Sequence, residues 1–335
     1  MNLTSLHCEQ FTAFDELTIE FCPGINVFVG KNGTGKTHLL KLAYAACDIT
    51  KSKLGLAEKI NRLFLPSGGS IGRLVRRRKG SSRSVIEVQR GQLKLHVSFS
   101  NHAERPGSAT VIGEEKWAAE PVESVFIPAQ EMLSHGPGFL SLYARREIHF
   151  DETYADILQR AYLPLLRGPM DRKRRRLLTQ LEKTITGKVI VKGDEFFLRN
   201  RQGNLEFSLL AEGFRKLGLL WRLMQNGTLT QGSVLFWDEP EANLNPKMLG
   251  PLMEVLLELQ RTGVQVFIAT HDYVVLKELD QRRRSGDQVM YHSLYHDSKQ
   301  RVQCSPASRY IEIEPNAIAE TFSELYDREL EHLLG

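Results

Sequence analysis

Apolar positions along the chain fall into three regimes. Residues from Phe11 to Phe21 alternate loosely, Cys22-Pro23-Gly24 signals a turn, and Ile25-Asn26-Val27-Phe28-Val29 is a short, β-rich apolar run. Leu39, Leu42, Ala43 and Ala46 then recur at helical spacing. The chain therefore opens as strand, glycine-bearing loop, helix. Between about 66 and 120 the pattern changes to Pro66-Ser67-Gly68-Gly69-Ser70 followed by alternating stretches around Val85–Val88 and Leu93–Val97, which predict antiparallel strands. Val125-Phe126-Ile127 reads as a buried strand ended by Pro128, and Leu140 to Glu182 is helical and strongly charged. A hairpin is predicted from Lys188–Lys192 to Glu195–Arg199, with Gly193 first in the turn as type II′ prefers.

The last third returns to strand–helix alternation. A helix is predicted from Ala211 to Met224, a strand over Val234–Trp237, and a helix capped by Asn245 with Pro246 at its first position. The stripe Leu249, Leu252, Leu256, Leu259 runs to a stop at Gly263, and the strand Val264 to Ala269 follows. Alternation at both ends around a different middle predicts an α/β nucleotide-binding fold whose two ends share one sheet. The division expected is 1–65 and 206–335 for the core, with 66–205 inserted as a β and helical, basic-rich region.

Composition narrows the class. With 335 residues and 41% apolar side chains, a substantial core is available. No apolar run reaches bilayer-spanning length and no basic-then-apolar leader opens the chain, so a cytoplasmic location without a membrane is expected. Cys8, Cys22, Cys47 and Cys304 are scattered and read as reduced thiols. Charge is unevenly spread. Arg76–Lys79, Arg172–Arg176 and Arg282–Arg284 hold twelve of the 44 Lys and Arg, leaving the remainder of the chain acidic on balance. Concentrated positive charge is what a polyanion senses, so contact with nucleic acid through these runs is an expectation, and three solvated faces are the alternative.

The chemistry-bearing segment is Gly30-Lys31-Asn32-Gly33-Thr34-Gly35-Lys36-Thr37, a full G-x-x-x-x-G-K-[ST] match between strand and helix. Its glycines let backbone N–H groups point at phosphate, and the helix behind adds the positive end of its dipole. Lys36 is expected to reach the β- and γ-phosphates of ATP, and Thr37 to give its hydroxyl to Mg²⁺. Far downstream, Asp238 ends an apolar strand and is the second expected Mg²⁺ ligand. Glu239 beside it is placed to activate water as general base. His271 follows the next strand and should emerge at the same sheet edge, within reach of the γ-phosphate.

Together these pieces resemble the ABC-type ATPases, among them transporter motors, structural-maintenance-of-chromosomes (SMC) heads, and RecF-like and OLD-like proteins. The resemblance covers Leu17–Tyr44 and Ser208–Tyr273. It implies a P-loop ATPase head with a mixed sheet, an antiparallel β subdomain and an inserted helical subdomain. It assigns Gly30–Thr37 to Walker A, Val234–Glu239 to Walker B, Glu241–Asn245 to the D-loop (with Asn245 where Asp is usual) and His271 to the switch histidine. The signature motif falls on Leu210-Ala211-Glu212-Gly213-Phe214, which lacks the usual serine. In such proteins this motif meets the γ-phosphate held by a second copy, so a homodimer closing on ATP is implied, with Arg215 or Lys216 as candidates to replace the missing contact. The Q-loop glutamine is placed at Gln130, with Gln89 and Gln92 as competitors.

Ala-Glu-Gly-Phe-Arg-Lys and Ile-Pro-Ala-x-Glu-Met-Leu-Ser-His also look like small bacterial ATPases akin to the ATPase half of OLD proteins, a group associated with phage defence. About 60 residues follow His271, fewer than a Toprim nuclease domain needs, so cutting would be left to a separate effector, a nuclease or toxin. The expected role is an ATP-gated regulator of that effector with slow hydrolysis. A RecF/SMC-like DNA-repair clamp is the alternative, and a transporter motor is third.

Overall fold

The computed structural model describes residues 2–334. β1 (Leu3–Phe11) and β2 (Phe14–Glu20) form a hairpin, and β3 (Ile25–Gly30) runs through the glycine loop into α1 (Lys36–Ser52) and α2 (Leu56–Phe64). The middle third supplies β4 (Arg83–Arg90), β5 (Leu93–Ser100), β6 (Thr110–Ile112), α3 (Glu114–Ala118) and β7 (Ser124–Ile127). After these come α4 (Phe139–Ala144), α5 (Glu152–Tyr162), α6 (Arg172–Thr184), β8 (Lys188–Lys192), β9 (Glu195–Asn200) and β10 (Gly203–Glu206). The last third contains α7 (Glu212–Gln225), β11 (Val234–Asp238), α8 (Pro246–Arg261), β12 (Gln265–Thr270) and α9 (Tyr273–Arg282), then β13 (Val289–His296), β14 (Val302–Ala307) and α10 (Ala317–Leu334).

A six-stranded sheet ordered β14-β13-β3-β12-β11-β7 joins the two ends of the chain. β13, β3, β12, β11 and β7 run parallel, and β14 pairs antiparallel with β13. Every residue of β3 and β12 is buried, as strands covered on both faces require, and this is why they read as unbroken apolar runs. The second sheet, β2-β1-β4-β5-β6, is antiparallel and alternates buried with partly exposed positions along β4. β8, β9 and β10 make a third, small sheet, in which Gly193 has the positive φ (62°) that the first position of a II′ turn needs.

Two apolar clusters hold these layers. One lies under α7, α8 and α9 with the helical segment α4–α6, and the other surrounds α1 between the two larger sheets. α1 is buried on nearly all sides because β7, β11 and β12 press on one flank and α2 and α3 on the other. The α/β architecture, with one mixed and one antiparallel large sheet, agrees with the expectation from the sequence.

Two details differ from it. Phe11–Phe21 holds one arm of a hairpin whose other arm is β1, and β13–β14 forms a second hairpin; the residue pattern predicts neither β1 nor β13–β14. β4 pairs along β1, and β7 is hydrogen-bonded to β11, so residues 66–205 contribute to both large sheets.

Candidate active site

The carboxyl ends of β3, β12, β11 and β7 lie along one edge of the central sheet, and Gly30–Thr37, Gln130, Asp238, Glu239 and His271 each lie at or just after one of these strand ends. The glycine loop leaves β3 at Gly30, whose φ is 154° and where a Cβ would meet the Leu294 carbonyl oxygen at 2.2 Å. Gly35 has φ 88°, and a Cβ there would strike the Phe14 ring at 2.4 Å. Phe14 is fully buried, so the hairpin β1–β2 forms the floor on which the loop rests. Gly33, at φ 84°, has no such neighbour; its conformation alone calls for glycine. Lys31, Asn32 and Gly33 are exposed, whereas Thr34 is buried with its hydroxyl donating to the Lys31 carbonyl (2.9 Å). The loop is thus a rigid cradle with an open mouth.

Lys36 closes the cradle from below. Its ammonium donates to the carbonyls of Gly30 (2.6 Å) and Lys31 (3.1 Å), and burial lowers its pKa against the opposing pull of Glu239, Asp238 and Glu241. Thr37 donates its hydroxyl toward both Asp238 carboxylate oxygens, at 3.0 and 2.9 Å. Burial pushes the Asp238 carboxyl up to about 6, with the Thr37 hydrogen bond opposing it. A buried carboxylate destabilised in this way, beside a hydroxyl, offers hard oxygen ligands that a divalent cation would satisfy. The residues present fit Mg²⁺.

Glu239 stands in the left-handed region (φ 48°), and its N–H donates to the Ala269 carbonyl of β12 (2.9 Å). That bond fixes the direction in which the carboxylate leaves the strand. His271 Nδ1 lies 3.4 Å from Glu239 and 3.8 Å from Glu241. Glu241 was assigned only to the D-loop by resemblance, yet it is the best-anchored acid of the site. It is buried, accepts from the Thr270 hydroxyl (2.6 Å) and the His271 N–H (3.2 Å), and its carboxyl is raised by burial. No spacing rule marks it, because its partners come from a different strand.

The segment 210–216 is brought to the same edge. Ala211 is the N-cap of α7 and makes no side-chain cap bond, so the first N–H groups of that helix have no such partner. Gly213 is buried where a Cβ would come within 2.8 Å of Leu244 and Met248, which seats the helix start against Leu244 and the first turn of α8. The two proposed substitutes for the missing serine are both engaged inside the chain. Lys216 is buried and donates to the Ala242 carbonyl, with Glu212 at 3.8 Å; Arg215 pairs with buried Glu131 at 3.2 Å. Lys216 in particular faces the segment that follows Glu241. Gln130, exposed beyond β7, lines a cleft with Glu131, Glu212, Arg215, Ala242 and Asn243. Gln89 lies within β4 and Gln92 in the turn before β5, on the antiparallel sheet.

The three basic runs prove unequal. Arg282 pairs with Glu278 and Glu254, Arg283 approaches Asp280, and Arg284 pairs with Glu258 and Glu254. In the first run Arg76 and Arg78 meet Asp15. Arg172, Lys173, Arg175 and Arg176, at the start of α6, are exposed and form no ion pair among the described residues.

Comparison with known proteins places this geometry. Residues 5–92 match a family model described as an AAA domain. The RecF DNA replication and repair protein of Streptococcus suis (strain 05ZYH33) is 35% identical over 113 residues, 34% of this chain and 30% of that protein. The L-cystine import ATP-binding protein TcyN of Bacillus subtilis (strain 168) is 40% identical over 58 residues, 17% of this chain and 20% of its own length. The matched segments span a third or less of these curated relatives. Among solved structures, an Smc head bound to the C-winged helix domain of ScpA superposes with a TM-score of 0.55 at 11% identity, over 92% of this chain and 98% of that one. An Smc head from Pyrococcus furiosus, with an extended coiled coil and bound to the C-terminal domain of ScpA, gives 0.52 at 11% identity, over 98% and 99%. The fold is therefore that of the Smc head domains. A model described as "AAA domain, putative AbiEii toxin, Type IV TA system" matches residues 108–277, half of the chain, and the chain belongs to that family.

Proposed function

We propose that this protein hydrolyses ATP at a site completed by a second copy, and that the cycle of closing and opening controls a separate effector protein in phage defence. The observation that carries the reading is the single constellation Thr37–Asp238–Glu239–His271, assembled from three strands at one sheet edge beside the Lys36 cradle. In this account Gly30 to Gly35 receive the phosphates on backbone N–H groups, and Lys36 exchanges its two loop carbonyls for phosphate oxygens. Mg²⁺ held by Thr37 and Asp238 would neutralise charge between the β- and γ-phosphates. Glu239 takes the proton of the attacking water, and the bond from its N–H to Ala269 keeps it aimed. His271, exposed and directed by Glu239 and Glu241, meets the γ-phosphate and reports its loss. Gln130 lines the flank of the cleft.

The second copy supplies what the first lacks. With no side chain to donate at Ala211 and with Arg215 and Lys216 engaged internally, the helix presents the backbone N–H groups of residues 211–213 and its dipole to the partner's γ-phosphate. Weaker contact than a serine hydroxyl gives is the physical reason to expect slow turnover. The effector role is supported by the family description, which speaks of a toxin–antitoxin system. The free cations of α6 support contact with nucleic acid phosphates, with affinity falling steeply as salt rises. The RecF similarity supports a second reading, a DNA-repair clamp, which differs in predicting preference for a single-strand to duplex junction.

Steady-state ATP hydrolysis tests the site. Glu239→Gln is expected to lower turnover by about 10²–10⁴-fold while ATP still binds, and Lys36→Ala to abolish ATP binding. Wild-type turnover in Glu239→Gln would remove Glu239 from its role.

A further inference from the structure

α10 leaves the body of the protein almost unaccompanied. Asn316 caps its start by accepting from the Ala319 N–H (3.1 Å), and Phe322 stacks on Tyr273 of α9 with ring centroids 4.4 Å apart. From Glu320 to Leu333 every residue is exposed, including Leu325 (49%), Tyr326 (61%) and Leu333 (73%). At about 100° per residue, Ile318, Phe322, Leu325, Tyr326, Leu330 and Leu333 fall on one stripe. Glu320, Glu324, Asp327 and Glu331 fall on the opposite face, and Glu329 alone among the acids lies inside the stripe. Helices in proteins draw most of their stability from packing of an amphipathic face, and here a row of large apolar side chains lies uncovered.

Charge decides what covers it. Five acids against Arg328 repel both nucleic acid and an anionic lipid surface. Pairing with α10 of a second copy would bring two Glu329 carboxylates into one apolar seam, with Arg328 pointing away from it, an arrangement that leaves buried charge unpaired. A groove on another protein that is apolar along its floor and carries lysine or arginine at its rim satisfies the stripe and Glu329 together.

We propose that α10 is the docking helix for a separate protein bearing such a groove, with Glu329 as the charge the partner reads. The proposal rests on the effector reading above and adds where that effector binds. It also supplies a path. Tyr273, on which α10 is anchored, is the second residue after His271, so a shift of the γ-phosphate contact reaches the base of the docking helix through one aromatic stack.

The test is co-expression of the full chain with each product of the genes flanking its own, followed by titration calorimetry of any complex. One such product is expected to bind stoichiometrically. Leu325→Asp/Leu333→Asp should weaken it at least about a hundredfold and Glu329→Lys at least about tenfold, with ATP binding unchanged in both. Equal affinity in the variants, no complex with any of these products, or α10-dependent association of the chain with itself would overturn the proposal. ATP hydrolysis in the same samples separates the two claims. An α10-dependent complex without hydrolysis sinks the ATPase reading alone, and hydrolysis with α10-independent binding sinks this one alone.

Discussion

His292 shows what burial does to a titratable side chain that the chemistry does not use. It sits in β13 with its ring stacked on Phe28 (5.1 Å) and Nε2 3.1 Å from Asn26 Oδ1, and burial pulls its pKa down to about 3. The folded value lies below that of the unfolded chain, so the unfolded state binds the extra proton as pH falls. Stability from this group is whole above about pH 6.5 and is lost progressively toward pH 3, at about 1.4 kcal/mol per unit. Urea unfolding at pH 7 and pH 5 should show a smaller loss in His292→Gln than in wild type; an identical loss would mean that the ring is not buried as described. The same contrast explains what was legible residue by residue. Lys36, Thr37 and Asp238 announce themselves by spacing, because phosphate and metal chemistry fixes them relative to a loop and a strand end. Glu241 and Lys216 do not, since each matters through partners on other elements: Thr270 for the first, the Ala242 carbonyl for the second.

Among elements, α8 was the easiest to read, because Asn245 caps it by accepting from the Lys247 N–H and Pro246 follows at the first position. α7 is the opposite case. Its N-terminus carries Ala211, so one local rule is broken at the point where the helix would meet a partner's phosphate. Ala211→Ser should restore a cap and raise stability by about 1 kcal/mol, read as a shift in the urea midpoint without change in slope. If the helix end also serves the γ-phosphate of the second copy, hydrolysis should rise with it. A rise in stability with unchanged hydrolysis would make the missing cap a matter of folding only. β1 and β13 escaped the sequence reading for a related reason. Ser5 in β1 and both His292 and Ser293 in β13 are buried, so polarity along these strands does not follow exposure and the period of two is blurred.

For the whole molecule, the decisive feature is that strands from the first thirty residues and from the last hundred interleave in one sheet, with β12 between β3 and β11. This much was readable, because two motifs that must share a phosphate cannot lie on separate bodies. The arrangement of the middle was not, since pairing of β4 with β1 depends on which edge the first hairpin leaves open. In the proposed function, the group that faces the γ-phosphate from the open side comes from a second copy. Analytical ultracentrifugation of Glu239→Gln, with and without ATP and Mg²⁺, tests this most directly. The account predicts a monomer without nucleotide and a stable dimer with it, reversed by Lys36→Ala. A species of the same mass under both conditions would contradict it.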